Sequence, residues 1–363
     1  MKPSMGAEEN TKELALHGRY DSAFTHLMAI GLVLILENAE RWCDVRWRDA
    51  DTIVVRTSDG LSWNEAAETV KAHAERWSES AWLSARGEYA KGAIRSTMAP
   101  RLGSPSDQGW MKLERDRERC VDRLNTTLDL RYVGALGEPS YWSGDCTAQG
   151  YTPDRGASRW EMVTRNRGQE FIAGRLAPLA AAVAARDVKQ IVDGMCGTAV
   201  VDEAGKNKDD SRTPTGLRHP SKTDNAQAWC ALIGISAFPT MKSTQSKRGG
   251  SAAFFQVTRQ RPYAVLPIWL QPWTTDKYRA VVRSKALLVA GLDAAVRSDQ
   301  ADGRVRYGLD EATVSESWQW LKAQGVNSIM LFPQFISDNP SAPERWLETG
   351  RRVLPPNAEN RHA

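Results

Sequence analysis

The sequence predicts an α+β fold of mixed helices and short antiparallel sheets, drawn as two related α/β halves joined by a flexible segment. Three observations carry this expectation. First, two apolar helical stretches share one pattern. In YDSAFTHLMAIGLVLILENA (20–39) and DNAQAWCALIGISAFP (224–239), Asp21 aligns with Asp224, Ala23 with Ala226, Ile30 with Ile233 and Gly31 with Gly234. Second, each stretch leads on to short β-branched, alternating runs and then a later helix. Third, DEAGKNKDDSRTPTGLRHPSKT (202–223) has almost no large apolar residues and reads as a flexible insertion or linker. On one short match, internal duplication and coincidence among apolar helices both stay open. The expected layout is an N-terminal α+β domain at 1–201, the linker at 202–223, a C-terminal α+β domain at 224–355 and a frayed tail at 356–363.

The elements follow in order. Residues 21–39 form a central helix, apolar around most of its circumference, with Asp21 or Ser22 as cap. DVRWRDADTIVVRT (44–57) alternates and predicts a hairpin. Helix 62–82 opens on a Ser62–Glu65 capping box and places Trp63, Ala66, Val70, Ala74, Trp77 and Ala81 on one face. Residues 84–110, rich in Gly, Ser and Pro, read as a long loop. Residues 111–125 read as a charged helix, 126–136 as a strand and 137–158 as another long loop. An alanine-rich helix spans 169–193, kinked or broken at Pro178 and ended by Gly194. After the 224–239 helix, FFQVT and YAVLPIWL form a hairpin around RQRP. Helices at 275–298 and 311–324 and a strand at 327–335 complete the pattern.

With 363 residues, 41% hydrophobic and 25% charged, the chain can bury a sizeable core. The longest apolar run, LMAIGLVLIL, has ten residues, whereas a membrane span needs roughly 20. The MKPSMGAEEN start lacks a basic n-region with an adjoining apolar core, so neither a secretory leader nor a membrane partner is expected. Five scattered cysteines without zinc-like spacing read as free thiols in a reducing cytosol, and the expected location is cytoplasmic. Fourteen tryptophans imply a tryptophan-rich core, with Trp269 and Trp273 also placed to stack on bases.

Net charge is only +4, but its distribution is uneven. No acidic residue lies between Asp224 and Asp276, while Lys242, Lys247, Arg248, Arg259 and Arg261 all do. The small Ser, Thr and Gly residues of 240–261 let backbone amides approach an oxyanion, and the cations supply charge for phosphates. A solvated basic hairpin is the plainer alternative. In RWEMVTRNRGQEF (159–171), Arg165, Asn166, Arg167 and Gln169 form a second donor set suited to phosphates and base edges, weighed equally against a solvated turn. No Walker loop, dinucleotide fingerprint, nucleophile elbow or H-E-x-x-H motif is present. WSGDC (142–146) sets Asp145 beside Cys146, but no histidine is near in sequence to activate the thiol. No catalytic residue, metal site or cofactor is assigned.

DNAQAWCALIGISAFP, the basic loop after it, and YAVLPIWLQPWTTDKYRAVVRSKALL together resemble the C-terminal half of large-subunit proteins from type I CRISPR systems, nearest the I-U or I-G group. YDSAFTHLMAIGL, LDLRYVGALG and SRWEMVTRNRGQEFI resemble the front of the same family. The likeness touches about half the chain and rests on diffuse hydrophobic patterns rather than a strict motif. It implies a non-catalytic, Csb-type subunit of a crRNA-guided Cascade complex in antiviral defence. Its partners would be crRNA, target DNA beside the adjacent motif, other Cascade subunits and a helicase-nuclease. Guide pairing would read the sequence, and protein would read the motif and backbone. Two rivals stand beside it: a thiol-dependent or phosphoryl-handling enzyme, and a subunit that binds only protein.

Overall fold

The computed structural model describes residues 13–90, 92–98, 106–136, 146–147, 150–151, 172–239, 255–256, 262–301, 308–338 and 344–356. The fold is α+β. Helix α1 (Ala23–Asn38) is buried at every residue from Ala23 to Leu36. No solvent face exists for it to keep polar, which is why its apolar residues run all the way round. Each fully buried Leu or Ile there contributes roughly 1.5–3 kcal/mol relative to exposure.

Before α1 lies strand β1 (Glu13–His17), which the sequence reading did not anticipate. After α1 come β2 (Cys43–Trp47) and β3 (Thr52–Thr57), the expected hairpin, and the three strands form an antiparallel sheet in the order β1-β3-β2. Helix α2 (Trp63–Ser78) starts on the expected capping box: Glu65 N–H donates to Ser62 Oγ at 3.2 Å, and Ser62 N–H donates to the Glu65 carboxylate at 2.9 Å. A single-turn helix, α3 (Ala81–Ser84), follows.

Several expectations give way. Residues 86–96 are not loop but a hairpin, β4 (Arg86–Ala90) with β5 (Ala93–Ser96), and Gly92 at φ +74° supplies the left-handed residue of its turn. Helix α4 (Asp107–Val121) begins earlier than expected because Ser106 Oγ accepts from Gly109 N–H. The expected strand at 126–136 is helix α5 (Thr127–Leu136). Thr126 Oγ1 accepts from Asp129 N–H at 3.1 Å, and buried Leu128, Tyr132 and Ala135 recur at helical spacing. Asp129 takes a two-pronged bond from Arg76 (2.7 and 2.9 Å) and one from Trp77 Nε1 (3.0 Å), and α2 therefore holds α5. Two short strands, β6 (Cys146–Thr147) and β7 (Gly150–Tyr151), pair with each other.

The alanine-rich helix divides, but not at Pro178. A π-turn (Ile172–Leu176) runs into α6 (Ala177–Ala185), where Pro178 sits in the first turn and its missing N–H is harmless. The break falls at Arg186–Asp187, where Asp187 and Gln190 form a capping box for α7 (Val188–Met195). Gly194 is within α7 rather than beyond it, and an added Cβ there would overlap the Asp224 carboxylate.

The largest departure is at 202–223. This segment is folded, not a linker. Asp202 is wholly buried, and its carboxylate accepts from Gly205 N–H (2.8 Å), Thr213 Oγ1 (2.8 Å), Asn225 Nδ2 (2.8 Å) and Thr223 N–H (3.1 Å). A polar segment without an apolar face has been wound around one anionic acceptor. Beside it, buried Arg186 pairs with Asp224 (3.0 Å) and Glu203 (2.6 Å). Nor do the flanking halves have separate cores. Helix α8 (Asn225–Ile233) packs on α1, and its Trp229 lies edge-on to Trp77 of α2 and against His73. One buried cluster runs from Leu14 to Leu347.

The two aligned glycines lie at the α1–α8 crossing. A Cβ on Gly31 would overlap the Cys230 carbonyl oxygen, and one on Gly234 would overlap the Leu27 carbonyl oxygen. The register that matches Asp21 to Asp224 also matches Leu27 to Cys230, so each helix contacts the other in the same way. Two helices related by a local two-fold axis make this isologous kind of contact.

Beyond α8 a 3-10 turn (Gly234–Ala237) ends at Phe238 and Pro239. Strand β8 (Phe255–Gln256) pairs antiparallel with β9 (Pro262–Trp269), as expected. The expected helix at 275–298 is two, α9 (Thr275–Val282) and α10 (Lys285–Ala301), with Ser284 Oγ capping the second through Leu287 N–H. Helix α11 (Glu311–Ala323) and strand β10 (Val326–Ile336) follow as expected. Strand β10 pairs with β9 and with both β11 (Arg345–Leu347) and β12 (Arg351–Val353). Val45 and Trp273 exchange backbone bonds (2.9 and 3.0 Å), tying the two sheets together.

Candidate nucleic-acid interface

The proposed phosphate and base contacts at Lys242, Lys247, Arg248, Arg259, Arg261, Arg165, Asn166, Arg167 and Gln169 all lie outside the described residues. What the structure describes is their anchorage. The segment 240–254 leaves from Pro239, directly after the buried 3-10 turn, and returns at Phe255. Residues 257–261 join β8 to β9, whose residues are buried throughout. Both ends of both basic segments are therefore held on the core.

The base-stacking reading of Trp269 and Trp273 is not supported by their positions. Both are wholly buried, stacked on each other at 4.9 Å and 11°, and Trp269 Nε1 donates to the Val45 carbonyl at 2.7 Å. They hold the junction between sheets and offer no face to a base.

An arginine cluster stands at the root of the acid-free segment. Arg131 is on α5 and Arg279 on α9, helices that both pack on the 3-10 turn before Pro239, and Arg283 caps the C-terminus of α9. Arg279 is only 7% exposed, and among the described residues its side chain makes no ion pair or hydrogen bond and Nη1 is buried without a partner. Desolvation, with Arg131 and Arg283 beside it, pushes the Arg279 guanidinium down to about 10, so it stays cationic at neutral pH. Neither Arg131 nor Arg283 forms an ion pair among the described residues. Asp276 and Glu37, at the end of α1, act the other way and raise the Arg279 pKa by lesser amounts. Burial raises the Glu37 pKa, and its carboxyl accepts from Thr275 Oγ1 at 2.6 Å. A buried, unpaired cation among like charges is costly, and an incoming anion relieves that cost. Sequence reasoning missed these three residues. The available signal was Arg279 and Arg283 four residues apart in KYRAVVRS, a like-charge pair on one helical face.

The described nucleophile candidates are committed elsewhere. Cys43 is pushed up to about 12 and Cys196 to about 11 by burial, and Cys120 and Cys230 are raised for the same reason. Such thiols carry little thiolate. The side chain of Cys146 lies outside the described residues. No His/Cys/Asp/Glu group among the described residues could hold a metal ion.

Two core histidines make a pH prediction. His26, wholly buried, bonds through Nε2 to the Tyr20 carbonyl at 2.6 Å, and burial lowers its pKa to about 4. His73, packed on Trp77 and Trp229, is lowered to about 3, again by burial. Both are depressed from 6.5, so the unfolded chain takes up protons first. The stability they contribute is full above about pH 6.5 and is lost as pH falls through the folded values. Urea unfolding should show stability falling from about pH 7 to about pH 5, the slope approaching roughly 1.4 kcal/mol per pH unit for each histidine. A flat profile over that window would contradict the buried placement of both rings.

No protein-family model matches the chain, and no curated protein matches it. No helix among the described residues is long and apolar enough to cross a membrane.

Proposed function

We propose that the chain is a non-catalytic subunit of a crRNA-guided type I CRISPR surveillance complex. In this reading it grips the phosphates of guide RNA and target DNA near the adjacent motif and helps recruit a separate helicase-nuclease. The observation that carries the nucleic-acid part is Arg279: a buried guanidinium with no ion pair among the described residues, on a helix packed against the turn from which the acid-free segment 240–261 leaves. The assignment to a guided complex rests on the family resemblance of the two apolar helices and the segments that follow them. Lys242, Lys247, Arg248, Arg259 and Arg261 would add phosphate contacts from the two basic segments. Arg165, Asn166, Arg167 and Gln169 would serve guide or motif contacts. The proposal includes a cytoplasmic location and no cofactor.

The test is co-expression of the tagged chain with its genomic neighbours, followed by extraction of bound nucleic acid. Short RNA of uniform length should co-purify. Lys247→Glu/Arg248→Glu should weaken duplex binding, and Arg279→Gln/Arg283→Gln should lower both affinity and the salt dependence, by a slope of about 1–2 in log–log terms. A protein that elutes alone and free of nucleic acid at low salt would overturn the assignment.

A further inference from the structure

A second feature lies at the other end of α1, whose 16 residues span about 24 Å. A cavity of about 440 Å³ opens there, lined by Ser22, Leu217–His219, Ser221 and Trp346–Thr349 together with Asp21 and Ala23. That volume is within the range of small-molecule sites. Backbone bonds hold its walls in place. Leu347 N–H donates to the Gly216 carbonyl at 2.8 Å, and Gly350 N–H donates to the Asp21 carbonyl at 2.8 Å.

Arg218 is the anomaly in this cavity. Its guanidinium lies over the Phe24 ring at 4.4 Å and donates to Thr223 Oγ1 at 2.7 Å, yet Nε is buried with no acceptor. Among the described residues no carboxylate forms an ion pair with it. Of the acids in the lining, Asp21 is clamped by Arg19 at 2.6 Å. Hydroxyls of Ser22, Ser221 and Thr349 share the cavity. The Ser22 hydroxyl makes no cap bond to α1 and lines the cavity. Two aromatic rings also line the cavity. Trp346 stacks on Phe335 at 4.1 Å and 21°, and His219 stands edge-on to it at 4.9 Å.

We infer that this cavity binds one phosphorylated nucleotide, with Arg218 and the hydroxyls taking the phosphate and Trp346 and His219 bounding the base. A guanidinium without an anion and a braced indole face in one small cavity match the two halves of such a ligand. The choice of a nucleotide over other phosphorylated aromatics rests on the proposed function. The ligand would be either the phosphorylated end of a bound strand or a free nucleotide.

The test is calorimetric titration of the full chain with adenosine monophosphate, adenosine and inorganic phosphate. The monophosphate should bind more tightly than either fragment. Arg218→Gln should weaken it about tenfold or more, and Ser22→Ala, which removes no cap bond, should weaken it measurably in a protein of unchanged stability. No detectable monophosphate binding, or equal binding by wild type and both variants, would overturn the inference. Competition by an oligonucleotide with a terminal phosphate, but not by its dephosphorylated form, supports the site and assigns it to a strand end. Monophosphate binding without such competition supports the site and assigns it to a free nucleotide. RNA binding that depends on Arg279 and Arg283 without monophosphate binding would remove the pocket and leave the proposed function. The opposite result would remove the function and leave the pocket.

Discussion

Gly31→Ala is expected to destabilise the protein by more than about 3 kcal/mol, although alanine is the better helix former by about 1 kcal/mol. The sign reverses because of what lies across the helix. The new methyl would occupy the position of the Cys230 carbonyl oxygen, which is backbone and has no rotamer through which to withdraw. Helices α1 and α8 would have to separate, and the buried residues of both would lose contacts along the crossing. Gly234→Ala should behave alike, since its methyl would meet the Leu27 carbonyl. Urea unfolding of both variants checks this. A variant as stable as wild type would show that the helices do not cross at the glycines, and would remove the isologous contact with them.

Asp202→Ala should cost about 3 kcal/mol or more, because it strands four donors around a carboxylate that has no solvent exposure. Asp202→Asn should fall between the two, keeping one oxygen as an acceptor but turning an amide donor towards other donors. Limited proteolysis gives a second readout. Cleavage at Lys206, Lys208 and Arg212 should be slow in the wild type and fast in Asp202→Ala. If 202–223 were a linker, the substitution would change stability by no more than about 0.5 kcal/mol and leave the cleavage rate unaltered.

Much of the secondary structure was legible where the signal is local. The capping box at Ser62–Glu65 depends on residues three apart, and the β2–β3 and β8–β9 hairpins show in alternation and turn chemistry. Failures occurred where the deciding partner is remote. Helix α5 reads as a strand until Asp129 is seen to accept from Arg76 and Trp77. The break after Ala185 is invisible until Arg186 turns inward to Asp224 and Glu203, and Pro178 draws attention to the wrong place.

Of the candidate interface, the part that can be counted along the chain was legible: an acid-free stretch with its lysines and arginines. The arginine cluster was not. Asp276 lies three residues before Arg279 and looks like its partner, but no ion pair forms. An unpaired charge is recognised only by measuring what does not reach it. Arg218 belongs to the same class, since its polar neighbours in sequence hide the loss of solvent that Phe24 and the cavity walls impose.

The sequence by itself determined the α+β class, most helices and hairpins, and the aligned Asp, Ala, Ile and Gly positions of two buried helices. These follow from periodicity and short-range hydrogen bonding, which act over a few residues. Only the tertiary structure decided that the aligned helices pack on each other, that one core serves both halves, and that the polar 202–223 segment is ordered around Asp202. The physical reason is that burial and the pairing of charges are properties of distance in space. Residues some two hundred positions apart, such as Leu27 and Gly234, come into contact only when the whole chain closes.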